Sequence, residues 1–144
     1  MSLNQISVFV ENKPGKLQAL TEILAKMDVN MRALSLAETA EFGIVRIIVD
    51  DLESAAEMLK AEGYIYTITK VLGVAIPDEA GGLNRVLQIL NHTGVNIEYM
   101  YAFLGGKNLP QAYMIFHVKE REEAVAALKK NSIECIAQEE LTNL

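Results

Sequence analysis

The residues best suited to chemistry in this sequence are small polar side chains placed around a glycine. Asn12 precedes Gly15 in a turn-like stretch, and Asn30 follows further along the chain. Glycine allows a ligand to approach the backbone closely, and the first N–H groups of a helix starting there can hold a carboxylate. The amide oxygens of Asn12 and Asn30 can accept hydrogen bonds from an ammonium group. The pattern therefore suits a free amino acid, which carries both charges.

The same arrangement recurs, because Asp78, Gly81 and Asn96 stand 66 residues after their counterparts. Over Gly15–Asn30, six of sixteen positions are identical at this offset, where average residue usage gives roughly one. The offset grows to 69 beyond the predicted turn Leu104–Asn108, which a three-residue insertion explains. We therefore predict two repeats, residues 1–70 and 71–144, with no linker between them. The identical pairs are Gly15/Gly81, Leu17/Leu83, Ile23/Ile89, Leu24/Leu90, Val29/Val95 and Asn30/Asn96.

Hydrophobic periodicity predicts the order β-α-β-β-α-β in each repeat. Two ferredoxin-like units follow, each with two helices on one face of an antiparallel sheet, so the fold class is α+β. The other sheet face is left apolar, and we expect the repeats to pair side by side and the chain to form a homodimer. The predicted strands are Ile6–Val10, Met31–Ala37, Gly43–Val49, Tyr64–Thr69, Leu72–Ile76, Asn96–Leu104, Ala112–Val118 and Ile133–Ile136. The predicted helices run from Leu17 to Met27, Leu52 to Glu62, Leu83 to Leu90 and Glu122 to Lys130.

Single residues mark the predicted helix ends. Pro14 suits the first helical turn, Asp50 is placed to cap the second helix, and Gly63 stops it. These signals fix where each loop meets its helix.

The loop sequences resemble the ACT domain family. In the first repeat the resemblance is carried by Asn12-Lys13-Pro14-Gly15-Lys16-Leu17 and by Val29-Asn30-Met31. In the second it is carried by Asp78-Glu79-Ala80-Gly81-Gly82-Leu83 and by Val95-Asn96-Ile97. Ala80 stands where the family usually has proline, and the two repeats together cover about nine-tenths of the chain.

This resemblance implies a regulatory protein, not an enzyme, that binds a free amino acid where two domains meet and controls a separate metabolic enzyme. One site then combines Asn12 and Gly15 with Asn96 and Ile97, and the other combines Asp78 and Gly81 with Asn30 and Met31. The implied ligand-binding set is Asn12, Pro14, Gly15, Lys16, Leu17, Asn30, Met31, Asp78, Ala80, Gly81, Gly82, Leu83, Asn96 and Ile97.

Composition narrows the alternatives. A net charge of −6 disfavours nucleic acid, and no apolar run approaches the ~20 residues of a membrane span. The single cysteine, Cys135, and the absence of a signal-peptide pattern lead us to expect the cytoplasm. The sequence has no metal-ligand spacing and no catalytic motif, so we expect neither a metal nor a cofactor.

Plainer interpretations stay open at this stage. Gly15 and Gly81 could be ordinary turn glycines, and Asn30 and Asn96 could only end helices. Asp78 could cap a helix, which is compatible with also contacting a ligand. At the level of the whole chain, the alternatives are an assembly subunit without a ligand and a small enzyme on a ferredoxin-like scaffold.

A row of aromatic residues has two interpretations. Tyr99, Tyr101 and Phe103 alternate along one strand, with Tyr113 on the next. Packing between repeats or copies is favoured, because RNA-binding proteins that stack bases on a sheet also need a basic surface.

Overall fold

The computed structural model describes residues 1–105 and 111–144. Among them the chain forms four helices, seven strands and one short 3-10 segment. In chain order these are β1 (Leu3–Glu11), α1 (Lys16–Lys26), β2 (Met31–Glu38), β3 (Phe42–Val49), α2 (Leu52–Ala61), β4 (Ile65–Pro77), α3 (Gly82–His92), β5 (Ile97–Ala102), β6 (Gln111–Val118), α4 (Arg121–Lys130), β7 (Glu134–Ile136) and the 3-10 segment Gln138–Asn143.

The chain divides into two compact units. The N-terminal unit comprises Asn4–Thr69, and the C-terminal unit comprises Lys70–Leu144 together with Met1–Leu3. The strand β4 contains the last residues of the former and the first of the latter. One continuous strand thus stands where the sequence predicted two strands in direct succession.

In the N-terminal unit, β1 and β2 both pair antiparallel with β3. Alternate residues of β1, namely Ile6, Val8 and Val10, are buried in one core with their neighbours on β3 and the two helices. Period-two alternation in the strands and helical spacing in α1 put these apolar side chains on one face of each element. From the helices and β3, the core includes Leu20, Leu24, Val45, Ile47, Val49, Ala55 and Leu59.

The C-terminal unit repeats this plan. β4 pairs with β6 and β7, and β6 also pairs with β5, all antiparallel. The pair Leu72↔Phe116 corresponds to Ile6↔Ile47 of the N-terminal unit. The two registers therefore reproduce the offsets of 66 and 69, and the inserted residues fall between β5 and β6. Of the predicted turn, residues 106–108 lie outside the described part of the chain.

The C-terminal core is built from the equivalent positions. Its buried residues include Leu72, Val74, Ile76, Val86, Leu90, Phe116, Val118, Ala124 and Leu128. Each half of the chain is thus a βαββαβ unit with its helices packed on an antiparallel sheet, as predicted.

Two predictions about helix starts were wrong, and the alternative interpretation of Asp78 as a helix cap is excluded. Asp51, not Asp50, caps α2, since its Oδ1 accepts a hydrogen bond from the Ser54 N–H at 3.0 Å. α1 begins at Lys16 after Gly15, so Pro14 lies before the helix and not in its first turn. Asp78 does not cap α3 either, because that N-cap is Gly81 and carries no side-chain cap.

Within the described residues, no helix has both the length and the apolar character required to cross a bilayer.

Candidate functional site

The loop after β1 places a glycine at the start of α1. Gly15 is the N-cap with φ +83°, a left-handed conformation that residues with a Cβ rarely adopt. A Cβ built on Gly15 meets no atom within 4 Å, so open space surrounds this backbone. The Ala19 N–H donates to the Gly15 carbonyl at 3.0 Å, which closes the first helical turn. The Lys16 N–H donates to the Lys13 carbonyl at 3.3 Å, which leaves the N–H groups of Leu17 and Gln18 without a helical partner by geometry.

Asn12 is held by the hairpin between β2 and β3. Its Nδ2 donates to the carbonyl oxygen of Thr39 at 3.2 Å and, more weakly, to Glu38 Oε2 at 3.5 Å. Its backbone N–H donates to the Glu41 carbonyl at 3.0 Å. These bonds fix the loop in place, and they already use the amide nitrogen of a residue that the sequence assigned to the ligand.

Asn30 lies exposed just before β2 and is fixed through its backbone. Its N–H donates to Asp50 Oδ1 at 3.0 Å, and the Asp50 N–H donates to the Asn30 carbonyl at 3.1 Å. This reciprocal pair explains why Asp50 is not the helix cap. The Asn30 side chain is exposed, whereas Met31 is half-buried and packs against the core.

Around Lys16 the loop carries an ion cluster that the sequence analysis missed. Glu11 lies 2.8 Å from the Lys13 ammonium and 3.6 Å from that of Lys16. The hydrogen bond and charge of Lys13, followed by the charge of Lys16, lower the pKa of the Glu11 carboxyl. The same contact raises the pKa of Lys13. The only sequence signal was a carboxylate and two lysines within six residues, which is common on solvated surfaces.

The loop before α3 shares the backbone geometry of the first loop. Gly81 has φ +84° and open space at its Cβ position, and its carbonyl accepts from the Arg85 N–H at 3.0 Å. Asp78 and Ala80 are exposed. Gly82 is different, because a Cβ there would collide with the carbonyl oxygen of Pro77. Its lack of a side chain is explained by packing inside the unit.

The remaining predicted residues divide into exposed and packed groups. Asn96 and Pro14 are exposed, and Ile97, Leu17 and Leu83 are partly buried against the cores of their own units. Within each unit the structure therefore brings the loop together with its helix N-terminus. The assignment of each loop to the strand start of the other repeat stays a prediction.

The aromatic row lies along β5 and β6. Tyr99 stacks on Tyr101 with centroids 6.5 Å apart and on His117 at 4.7 Å, and Phe103 meets Tyr113 edge-on at 5.8 Å. Tyr101 and Tyr113 are only 8% and 5% exposed. These two buried rings offer no free face to a base, whereas Tyr99 and Phe103 are only half-buried.

Among the described residues, no group of three or more His, Cys, Asp or Glu side chains is placed to hold a metal ion. Cys135 is buried in the C-terminal core, and burial raises the pKa of its thiol.

Comparison with known proteins gives a family match over the whole chain. The family model described as ACT domain pair matches residues 1–144. The structure is similar to that of protein BT0572 from Bacteroides thetaiotaomicron, with 38% identity, a TM-score of 0.91, and coverage of 100% of this chain and 98% of that one. No curated protein sequence matches this chain.

Two more distant structures share the fold. The regulatory subunit of aspartate kinase from Thermus thermophilus, in a ligand-free form, has 18% identity and a TM-score of 0.64, covering 88% of this chain and 90% of its own. The corresponding subunit from Thermus flavus has 16% identity and a TM-score of 0.61 at the same coverage.

Proposed function

Because the chain belongs to the family of paired ACT domains, we propose that it is a regulatory protein that binds a free amino acid and has no catalytic activity of its own. The observation that carries the proposal is the repeated glycine geometry. Gly15 and Gly81 have nearly the same left-handed conformation, each at a helix N-terminus and each with open space around it. The same three features thus recur at the same position of both repeats.

The loops suit the two charged groups of an amino acid. The helix N-terminus offers N–H donors and the positive end of the helix dipole to a carboxylate. Oxygen acceptors for the ammonium group are available on Asp78 and on the exposed side chains of Asn30 and Asn96. We propose that these residues, with Gly15 and Gly81, form the binding positions.

Binding is proposed to act on a separate metabolic enzyme. A ligand shifts a conformational equilibrium only through its different affinities for the two states, and a site built from more than one segment provides such a difference. The similar fold of two aspartate kinase regulatory subunits supports a partner of this kind. We also propose that the chain acts as a homodimer.

A thermal-shift screen of the full chain against the twenty amino acids tests ligand binding. A ligand that binds only the native state stabilises it by about 2.7 kcal/mol at a hundredfold excess over Kd. We expect one chemically related group of amino acids to raise the unfolding temperature, and Asn30→Ala or Asn96→Ala to reduce that shift. Asn91→Ala, an exposed change near the C-terminal end of α3, is the matched control.

The same screen distinguishes the assembly-subunit alternative. Asn12 favours that alternative, since its bonds to the hairpin give the loop a structural role without any ligand. If no amino acid shifts the unfolding temperature, and Asn12→Ala lowers it to the same extent with and without amino acids, the loops serve structure and the binding proposal fails.

A further inference from the structure

A groove in the N-terminal unit opens beside the first residue of α1. We call it the β1–α1 groove, because its walls are the end of β1, one side of α1 and the start of β4. Its volume is about 410 Å³, which falls within the ~300–1,000 Å³ of small-molecule sites. Lys16 lines it directly next to Gly15, so the groove adjoins the loop already described.

The floor and walls of the groove are largely apolar. Phe9, Phe42 and Ile65 line it and remain 39%, 53% and 71% exposed, although they are large hydrophobic side chains. Ile23 and Tyr64, which are half-buried on the core, complete the apolar lining. Clustered apolar surface of this kind usually marks a contact site, since covering it is worth about 25 cal/mol per Å².

Charges of both signs line the groove. Glu11 Oε1 lies 3.6 Å from the Lys16 ammonium, and Glu62 also lines the groove. Glu11 also pairs with the Lys13 ammonium at 2.8 Å, and this contact lowers the pKa of the Glu11 carboxyl. An ammonium–carboxylate pair next to an apolar pocket is complementary to a zwitterion with an apolar side chain.

The C-terminal unit keeps an apolar residue at the position of Ile23, namely Ile89, but lacks the exposed side chains and the charges of the groove. At the register-equivalent positions, Ala75 replaces Phe9, Gln111 replaces Phe42 and Glu134 replaces Ile65. Pro77 and Gly82 likewise replace Glu11 and Lys16. Two units with the same fold thus differ in the lining that makes the groove, so the groove is not a by-product of the fold.

We propose that the β1–α1 groove holds the side chain of a large apolar amino acid, branched or aromatic, at one site per chain in the N-terminal unit. This rests on the proposed function and names its ligand class. The ligand carboxylate lies at the Gly15 helix start beside Lys16, and Glu11 joins the oxygen acceptors already proposed for its ammonium group.

Calorimetry on the full chain tests the ligand class and the number of sites. Leucine, isoleucine and phenylalanine are titrated beside alanine, serine and glutamate. We expect the apolar ligands to bind at least tenfold more tightly than the others, with one site per chain. If small or polar amino acids bind best, or if two equal sites appear, amino-acid binding survives and the groove assignment fails. If none binds, both fail.

Variants locate the site. Ile65→Glu and Phe42→Gln install the residues of the C-terminal unit, and both should weaken binding of the best ligand at least tenfold. Ile68→Glu makes the same chemical change on the same strand, at a residue that is 47% exposed and does not line the groove. The affinity of this control variant for the best ligand should therefore be unchanged. Equal affinity in Ile65→Glu and Ile68→Glu would overturn the proposal.

Light scattering distinguishes a ligand-binding groove from an interface between two copies of the chain. If Ile65→Glu shifts a dimer to a monomer and leaves ligand affinity intact, the groove is an interface between copies and the proposal is wrong. The unfolding temperature of each variant shows that it is folded, and since all these side chains face solvent, we expect every variant to remain native.

Discussion

The two loops that precede α1 and α3 have the same backbone and different side-chain chemistry. Gly15 and Gly81 agree in φ to within a degree, and each accepts the first helical hydrogen bond at 3.0 Å. The next residue is Lys16 in one loop, where it joins an ion cluster, and Gly82 in the other, where packing excludes any side chain. The fold thus preserves the turn that starts the helix, while the residues beside it have diverged.

A second pair of equivalent segments shows the same divergence. Asn30 exchanges two backbone hydrogen bonds with Asp50, whereas the position equivalent to Asp50 in the C-terminal unit is Lys119, whose ammonium lies 3.7 Å from Glu98. The segment before β2 is therefore held in place by a carboxylate that its counterpart lacks. In both comparisons, the N-terminal unit has polar contacts that the equivalent positions of the C-terminal unit do not make.

The largest expected effect tests the contrast between Gly82 and Lys16. Gly82→Ala forces a methyl group against the Pro77 carbonyl, and overpacking of this kind costs about 1–3 kcal/mol. Lys16→Ala, at the equivalent exposed position, should change the free energy of unfolding by less than about 0.5 kcal/mol. Urea denaturation measures both. Similar effects of the two changes would show that the loops do not differ in packing.

A smaller effect is expected at the helix C-termini. α2 and α4 end alike, with Gly63 at φ +78° and Ser132 at φ +61°. In each case the next N–H donates back into the last turn at 2.9 Å, from Tyr64 to Leu59 and from Ile133 to Leu128. The left-handed conformation costs a residue with a Cβ ~1–2 kcal/mol, a cost that glycine avoids. Glycine has a larger conformational entropy in the unfolded chain, and this offsets ~0.5–1 kcal/mol of its advantage.

Ser132→Gly should therefore stabilise the protein by about 0.5–1 kcal/mol, and Gly63→Ser should destabilise it by a similar amount. A Cβ at Gly63 meets no atom within 4 Å, so sterics do not interfere. Thermal and urea unfolding provide the measurement. A loss of stability in Ser132→Gly would mean that the serine has a compensating contact and that the two ends are not equivalent.

Most of the fold could be predicted from sequence because it depends on periodic patterns. Alternation along β1 and helical spacing in α1 identify their core faces locally, and the left-handed glycines are signalled by residue type. The sequence does not show whether Asp50 or Asp51 is the N-cap of α2. Both side chains have the same chemistry, and the N-cap changes from one to the other if the helix starts one residue later. The identity of the cap depends on Asn30, which lies far away in sequence and occupies Asp50.

The groove was missed for a similar reason. Glu11 and Phe42 become neighbours only through the β1–β3 register, and Ile65 joins them at the start of another strand. None of the three has a local signal, because exposed apolar residues and isolated carboxylates are common on protein surfaces. Likewise, Gly82 looked like a ligand-loop glycine until the Pro77 carbonyl was placed against it.

The smallest expected effect concerns the caps of α2 and α4 and depends on pH. The hydrogen bonds from the Ser54 N–H and hydroxyl to Asp51 lower the pKa of its carboxyl below the ordinary 3.8, whereas Glu120, at the equivalent N-cap of α4, makes no side-chain cap. Because the pKa is lower in the folded state, the stabilisation is complete above the pKa of the unfolded state and is lost as pH falls through the pKa of the folded state.

The stability difference between the wild type and Asp51→Ala should therefore be constant from pH 7 to about pH 5 and shrink below the unfolded pKa of ~3.9. Glu120→Ala should show a smaller difference with little dependence on pH, and urea unfolding at a series of pH values measures both. A difference for Asp51→Ala that stays constant down to pH 3 would mean that the cap does not depend on the charge of Asp51, and that the two helix starts differ in geometry alone.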